Sequence, residues 1–174
     1  QLLLLFSTGH YGANMTHGET YLVDHAPDVV RVIVGLEPHP EPREPVTSLS
    51  NALIYEDLIA PMMKQRCASC HNDAKQKGKL NLANLEAILK GGKSGAAVTA
   101  NNLAQSELYK RITLPHGDKK FMPAEGKTPL TDQQVKSIAW WINAGLPTQG
   151  SVGDYVNNKE DKKALQAVLG LSPS

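Results

Sequence analysis

The two cysteines of this 174-residue chain stand three positions apart in Cys67-Ala68-Ser69-Cys70-His71, and there is no third for either to pair with. That string constrains the fold more than any stretch of hydropathy does. Two thiols at this spacing lie on one helical turn, and an imidazole follows directly. A structural zinc site needs four ligands, and a second cysteine pair is absent. A redox-active Cys-x-x-Cys sits in a βαβ setting, whereas the residues around this one are patterned as helix. A Cys67–Cys70 disulfide leaves His71 without a role. Covalent attachment of haem uses all three side chains. Each thiol adds to one vinyl group of the same porphyrin, and the imidazole is presented to the iron from below. A bonded porphyrin cannot dissociate, so a small chain keeps it without fully enclosing it.

The iron of such a group commonly takes a second axial ligand, and a thioether opposite the imidazole raises the reduction potential. Met62 and Met63 lie on the same helical segment as the thiols and read as core. Met15 lies in the N-terminal arm. Met122, in Lys119-Lys120-Phe121-Met122-Pro123, sits 51 residues after His71 in a loop before a strongly signalled helix. A loop held at both ends by helices can cross the far face of a ring, which makes Met122 the expected distal ligand. His116, in Leu114-Pro115-His116-Gly117-Asp118, is the competitor and would lower the potential.

The helix signals place these residues. Thr131-Asp132-Gln133-Gln134 is a capping box. Val135, Ile138, Ala139 and Ile142 then recur on one helical face, and Gly145 and Pro147 stop it. An earlier helix is expected from about Ala52 toward Cys70, kinked or split by Pro61. Asn84 and Ser106 are expected caps of two short helices, through Leu89 and Ile112. Val29–Val34 is β-branched and reads as a short strand. Residues 154–169 have weak helical character. Leu80, Leu82, Leu85, Leu89, Leu108, Ile112, Phe121, Ile138 and Ile142 are the candidate apolar pocket. Trp140 and Trp141 point about 100° apart on a helix, so one is expected in the pocket and the other nearer the surface. Arg66 and Arg111 are the leading candidates to pair with the porphyrin's carboxylates.

Charge is uneven. Residues 1–50 hold two basic and six acidic side chains, whereas 51–149 hold thirteen and eight, within a chain whose net charge is +1. A chain so balanced is not a polycation built for nucleic acid, but its basic middle suits acidic partners. No run of 18 apolar residues occurs, so nothing in it spans a bilayer by itself. The chain opens on Gln1, which suggests a processed chain or a fragment. Gln1-Leu2-Leu3-Leu4-Leu5-Phe6 has no basic stretch before it and no small-residue cleavage pattern soon after, so a remnant of a membrane helix is expected. Residues 37–45 hold four of the eleven prolines and read as a stiff linker. The expected organisation is therefore an arm at 1–26, a linker at 27–49, a compact domain at 50–149 and a tail at 150–174.

Residues from about 50 to 147 resemble a class I cytochrome c of the type common in planctomycetes and related bacteria. The likeness rests on Ile59-Ala60-Pro61, Cys67-Ala68-Ser69-Cys70-His71, Gln76-Lys77-Gly78-Lys79-Leu80 and Lys90-Gly91-Gly92-Lys93-Ser94-Gly95. Ser106-Glu107-Leu108-Tyr109-Lys110-Arg111-Ile112, Phe121-Met122-Pro123 and the Leu130–Ile142 stretch complete it. The resemblance implies an all-α fold around one covalent haem c, with crossing first and last helices. It implies Cys67 and Cys70 as thioether positions, His71 as proximal and Met122 as distal iron ligand. Ala124 stands where many relatives have a second proline, which loosens the loop slightly. Thr8–Glu19 resembles the end of the last membrane helix in bacterial membrane proteins that carry such a domain C-terminally. His10 and His17, seven apart, share a helical face and are candidate ligands of a second haem or metal. The expected function is single-electron transfer, not enzymatic catalysis, at the periplasmic or extracytoplasmic face of an inner membrane. Expected partners are redox proteins or a respiratory complex, with a membrane tether upstream of residue 1. A five-coordinate haem peroxidase or gas sensor is the alternative; it needs Met122 displaced and a distal polar group such as His116.

Overall fold

The computed structural model describes residues 26–39 and 43–172. The expectations placed on residues 1–6 and on Thr8–Glu19, with His10, Met15 and His17, lie outside them. Two compact units divide the chain, Gln1–Glu44 and Pro45–Ser174.

In the first unit the β-branched stretch is not a strand but a helix, α1, Asp28–Ile33. The Pro27 carbonyl accepts from Val30 N and Arg31 N (2.9 and 3.0 Å), so the proline starts the turn. Asp28 stands in its first turn, and its Oδ1 also accepts from the backbone N–H of His39 at 2.7 Å and faces His39 Nδ1 at 2.6 Å. Val propensity is a weak prior, and no strand lies among the described residues to pair with this stretch.

The second unit is all-α. It opens with a π-helical segment, Ile54–Ile59, that runs straight into α2, Ala60–Arg66. Pro61 falls in the first turn of α2, where its missing N–H costs nothing. Leu58 and Ile59 are fully buried, and Met62 and Met63 nearly so, as core. Then come α3, Leu85–Lys90, and α4, Glu107–Ile112. Asn84 Oδ1 accepts from Ala87 N at 2.9 Å and caps α3. Ser106 precedes α4 but does not cap it. Its buried hydroxyl donates to the Asn102 carbonyl at 2.8 Å and accepts from Thr99 N, tying down the preceding loop instead.

The longest helix is α5, Asp132–Asn143. Its capping box is formed both ways: Gln134 N donates to Thr131 Oγ1 at 3.2 Å, and Thr131 N to Gln134 Oε1 at 3.0 Å. Gly145, at φ +87°, lets the chain leave in the left-handed region. Two more helices follow, α6, Val152–Tyr155, and α7, Lys159–Leu169. The first turn of α6 is pinned to the start of the unit, with Val152 N on the Ala52 carbonyl and Gly153 N on that of Leu49, both 2.8 Å. Helix α7 packs along α5 and against the π-helical segment. Neither tryptophan is near the surface: Trp140 and Trp141 are both buried, and Trp141 Nε1 donates to the Pro147 carbonyl at 3.0 Å. Leu89, expected in the pocket, is 48% exposed, because α3 is too short to bury two faces.

Candidate functional site

Helix α2 ends at Cys67, and the chain turns there with Cys67, Cys70 and His71 half-buried. Cys67 N and Ala68 N both donate to the Met63 carbonyl at 2.9 Å, and Cys70 N and His71 N both donate to that of Cys67 at 3.1 Å. This turn brings both thiols and the imidazole to one side. The segment beyond folds back over it, with Lys77 N on the Cys70 carbonyl at 3.2 Å and Leu82 N on that of His71 at 2.8 Å. That return places the Leu80 carbonyl oxygen 3.3 Å from His71 Nδ1. A carbonyl only accepts, so Nδ1 carries the proton and Nε2 keeps its lone pair for a metal.

Cys67, Cys70 and His71 open into a cleft of about 360 Å³. Its apolar wall is made by Leu80, Leu82, Ala97, Leu108, Ile112 and Leu130, and Met122 and Pro123 close another side. The Met122 loop is held to α4 by a bond from Met122 N to the Arg111 carbonyl at 3.1 Å. His116 is not among the lining residues. Its ring stacks on Phe121 with centroids 4.6 Å apart, and it faces a second groove beside Asp132 and Lys136. Of the apolar residues expected from sequence, Leu80, Leu82, Leu108 and Ile112 line the cleft. Phe121, Ile138 and Ile142 are buried outside its lining, and Leu85 is half-buried against the core.

Ala97, Leu130 and the Gly92–Gly95 turn complete the wall without having been singled out as pocket residues. A Cβ at Gly91 (φ +76°) would stand 2.6 Å from the Gly95 carbonyl oxygen, and one at Gly92 would stand 2.9 Å from Leu80 Cβ. Glycine is therefore required for this turn to close against the Leu80 strip. The signal for it was present in Gly91-Gly92-Lys93-Ser94-Gly95, where the run of glycines outweighs any helical pattern.

The electrostatics divide the cleft. Burial pushes the Cys67 thiol up to about 11, with the Arg66 charge opposing it, so the thiol is protonated at neutral pH. Arg66 lines the cleft beside it, and its buried Nε has no hydrogen-bond partner among the described residues. Arg111 is engaged: Nε donates to Glu107 Oε2 at 3.2 Å and a terminal nitrogen to Ser94 Oγ at 3.0 Å. Lys110 also pairs with Glu107. No group of three His, Cys, Asp or Glu side chains able to hold a bare metal ion occurs among the described residues.

Paired thiols beside an imidazole, with a thioether on the same apolar cleft, match the pattern of a c-type haem attachment site. Residues 67–126, about a third of the chain, match the family described as Planctomycete cytochrome C, and this stretch is a cytochrome c domain of that type. No curated protein and no solved structure gives a match. Such a domain carries covalent haem c, and the residues present fit that group. The thiols open on the cleft, and the wall is apolar as a porphyrin face requires.

Proposed function

We propose that the protein is a monohaem cytochrome that passes single electrons between redox partners at the extracytoplasmic face of a membrane. The observation that carries this reading is the convergence of Cys67, Cys70, His71 and Met122 on one apolar cleft. When bound, the haem supplies one reversible electron through its ferric and ferrous states. The chain's residues do the rest. Cys67 and Cys70 are the tethers. His71, its Nδ1 engaged by the Leu80 carbonyl, would hold the iron through Nε2. Met122 would add a soft sulfur, a ligand that favours the reduced state. The leucine and isoleucine wall excludes water and so keeps the charge change on the metal poorly solvated.

The cleft is lined by Arg66, Lys77, Lys93, Arg111 and Lys127 against Glu107 and Glu125. That excess suits an acidic redox protein or a respiratory complex as partner. A five-coordinate peroxidase or sensor is less well supported, because His116, the polar group it needs, faces away from the cleft lining.

A pyridine haemochrome spectrum with intact mass tests the reading, and one covalent haem per chain is expected. Met122→Ala should retain that haem and lose the long-wavelength charge-transfer band of sulfur-ligated ferric iron. Colourless native protein with two alkylatable thiols would overturn the reading.

A further inference from the structure

Arg111, Ser94 and Lys93 line the cleft as well. A haem brings two vinyl groups on one edge and two carboxylates on the opposite edge. The vinyl edge is spent on Cys67 and Cys70, so cations beside the thiols are at the wrong end for the carboxylates. Arg66 precedes Cys67 directly and belongs to that wrong end. Lys77 and Lys127 also line the cleft, but Lys93 and Ser94 from the glycine turn and Arg111 from α4 stand as one cluster, joined by the Arg111–Ser94 hydrogen bond, on elements that hold no thiol.

We propose that Arg111, Ser94 and Lys93 form the subsite for the haem carboxylates, with Glu107 as the positioning residue for Arg111. The inference rests on the covalent-haem reading above. A guanidinium has five N–H donors in a fixed fork. Glu107 and Ser94 take one each, which fixes the plane of the group and leaves three donors for a bidentate carboxylate. The Ser94 hydroxyl, accepting from Arg111, keeps its own proton to donate. The turn is itself anchored, since Lys93 N donates to the Gly78 carbonyl at 2.8 Å and Glu107 N to that of Ala96 at 3.2 Å. The donors are therefore set before any ligand arrives. Charge agrees as well. Within this cluster Lys110 offsets Glu107 from outside the cleft lining, so the cleft-lining Lys93 and Arg111 are the cations that would meet the two negatives a haem brings.

The test uses the haem-loaded full chain, read by resonance Raman spectroscopy of the propionate bending modes and by the midpoint potential. Arg111→Gln is expected to keep one covalent haem, move the propionate mode to lower frequency and lower the potential. Ser94→Ala should move the same mode by a smaller amount. Arg66→Gln should leave the mode in place. An unmoved mode in Arg111→Gln, or a mode moved by Arg66→Gln alone, overturns the assignment while leaving the cytochrome reading intact. Should Arg111→Gln fail to fold, Arg111→Lys and Ser94→Ala decide it, and a mode unmoved in both overturns it. Wild-type protein without covalent haem removes both this subsite and the reading beneath it.

Discussion

Glu107 shows how one carboxylate sets the shape of a neighbouring cation. Its carboxyl is held below the ordinary value, first by the hydrogen bond from Lys110; burial, the next effect in size, opposes this, and the charges of Lys110 and Arg111 and the Arg111 hydrogen bond add to the lowering. A carboxylate lowered in this way contributes stability that is present above its unfolded value and lost as the pH falls through the folded one. Glu107→Gln is therefore expected to be less stable than the wild type at neutral pH, by less than about 1 kcal/mol because the pair is partly exposed. The gap should begin to close as the pH falls past the unfolded glutamate value and disappear once the pH has passed the lowered folded one. Urea unfolding of both proteins at neutral and acid pH measures it, and a gap that persists in acid would show that packing, not charge, is responsible. Glu107 was not singled out from sequence. Its Lys110 and Arg111 partners at i+3 and i+4 were readable, but such pairs are common on any exposed helix, and only the fold brings Ser94 to the same guanidinium.

Helix α5 was legible almost in full, because its start and its stop are both chemical. Thr131 and Gln134 satisfy one another's backbone groups, and Gly145 turns the chain out. Thr131→Ala should cost about 1 kcal/mol in chemical denaturation, the usual cost of an N-cap. A loss well below that would mean the helix is held by packing alone. Where the local signal was one-sided, the reading failed. Ser106 had the right residue type for a cap, yet its hydroxyl serves Thr99 and Asn102. The valines of α1 favour a strand by propensity, but a strand needs a partner, and Pro27 offers its carbonyl to start a turn instead. The elements around the thiols were legible for a different reason. The Cys-x-x-Cys-His spacing demands a helical turn for its chemistry, so motif and local structure are one statement. The place of Met122 in the cleft lining was readable from its loop between two helices, whereas the glycine run at Gly91–Gly95 signalled a turn but not that it closes against Leu80.

At the scale of the compact unit, the C-terminal segment has the largest consequence and was the least legible. Residues 154–169 show only a few apolar positions among lysines and acids, so sequence alone does not say whether they dock. They dock on α5 and on the π-helical segment, and Leu165 is fully buried there. This explains why both tryptophans are interior. With α7 lying along α5, that helix is covered beyond the one apolar stripe its sequence displays, and indole positions about 100° apart can both be buried. Beside it, the entry into α6 is tied to the start of this unit, since residues 150–153 hydrogen-bond to residues 49–54. Leu165→Ala removes a buried side chain from that seam and should cost about 2–5 kcal/mol in global unfolding. Leu165 is not among the residues lining the cleft, so the spectrum of the bound haem should be unchanged at low denaturant and only the midpoint of unfolding should fall. Denaturation followed in parallel by the haem band and by far-ultraviolet circular dichroism checks both halves. Coincident transitions shifted to lower denaturant are expected. A haem spectrum already altered in native buffer would instead show that α7 shapes the cleft directly, through the π-helical segment that leads into α2 and its thiols.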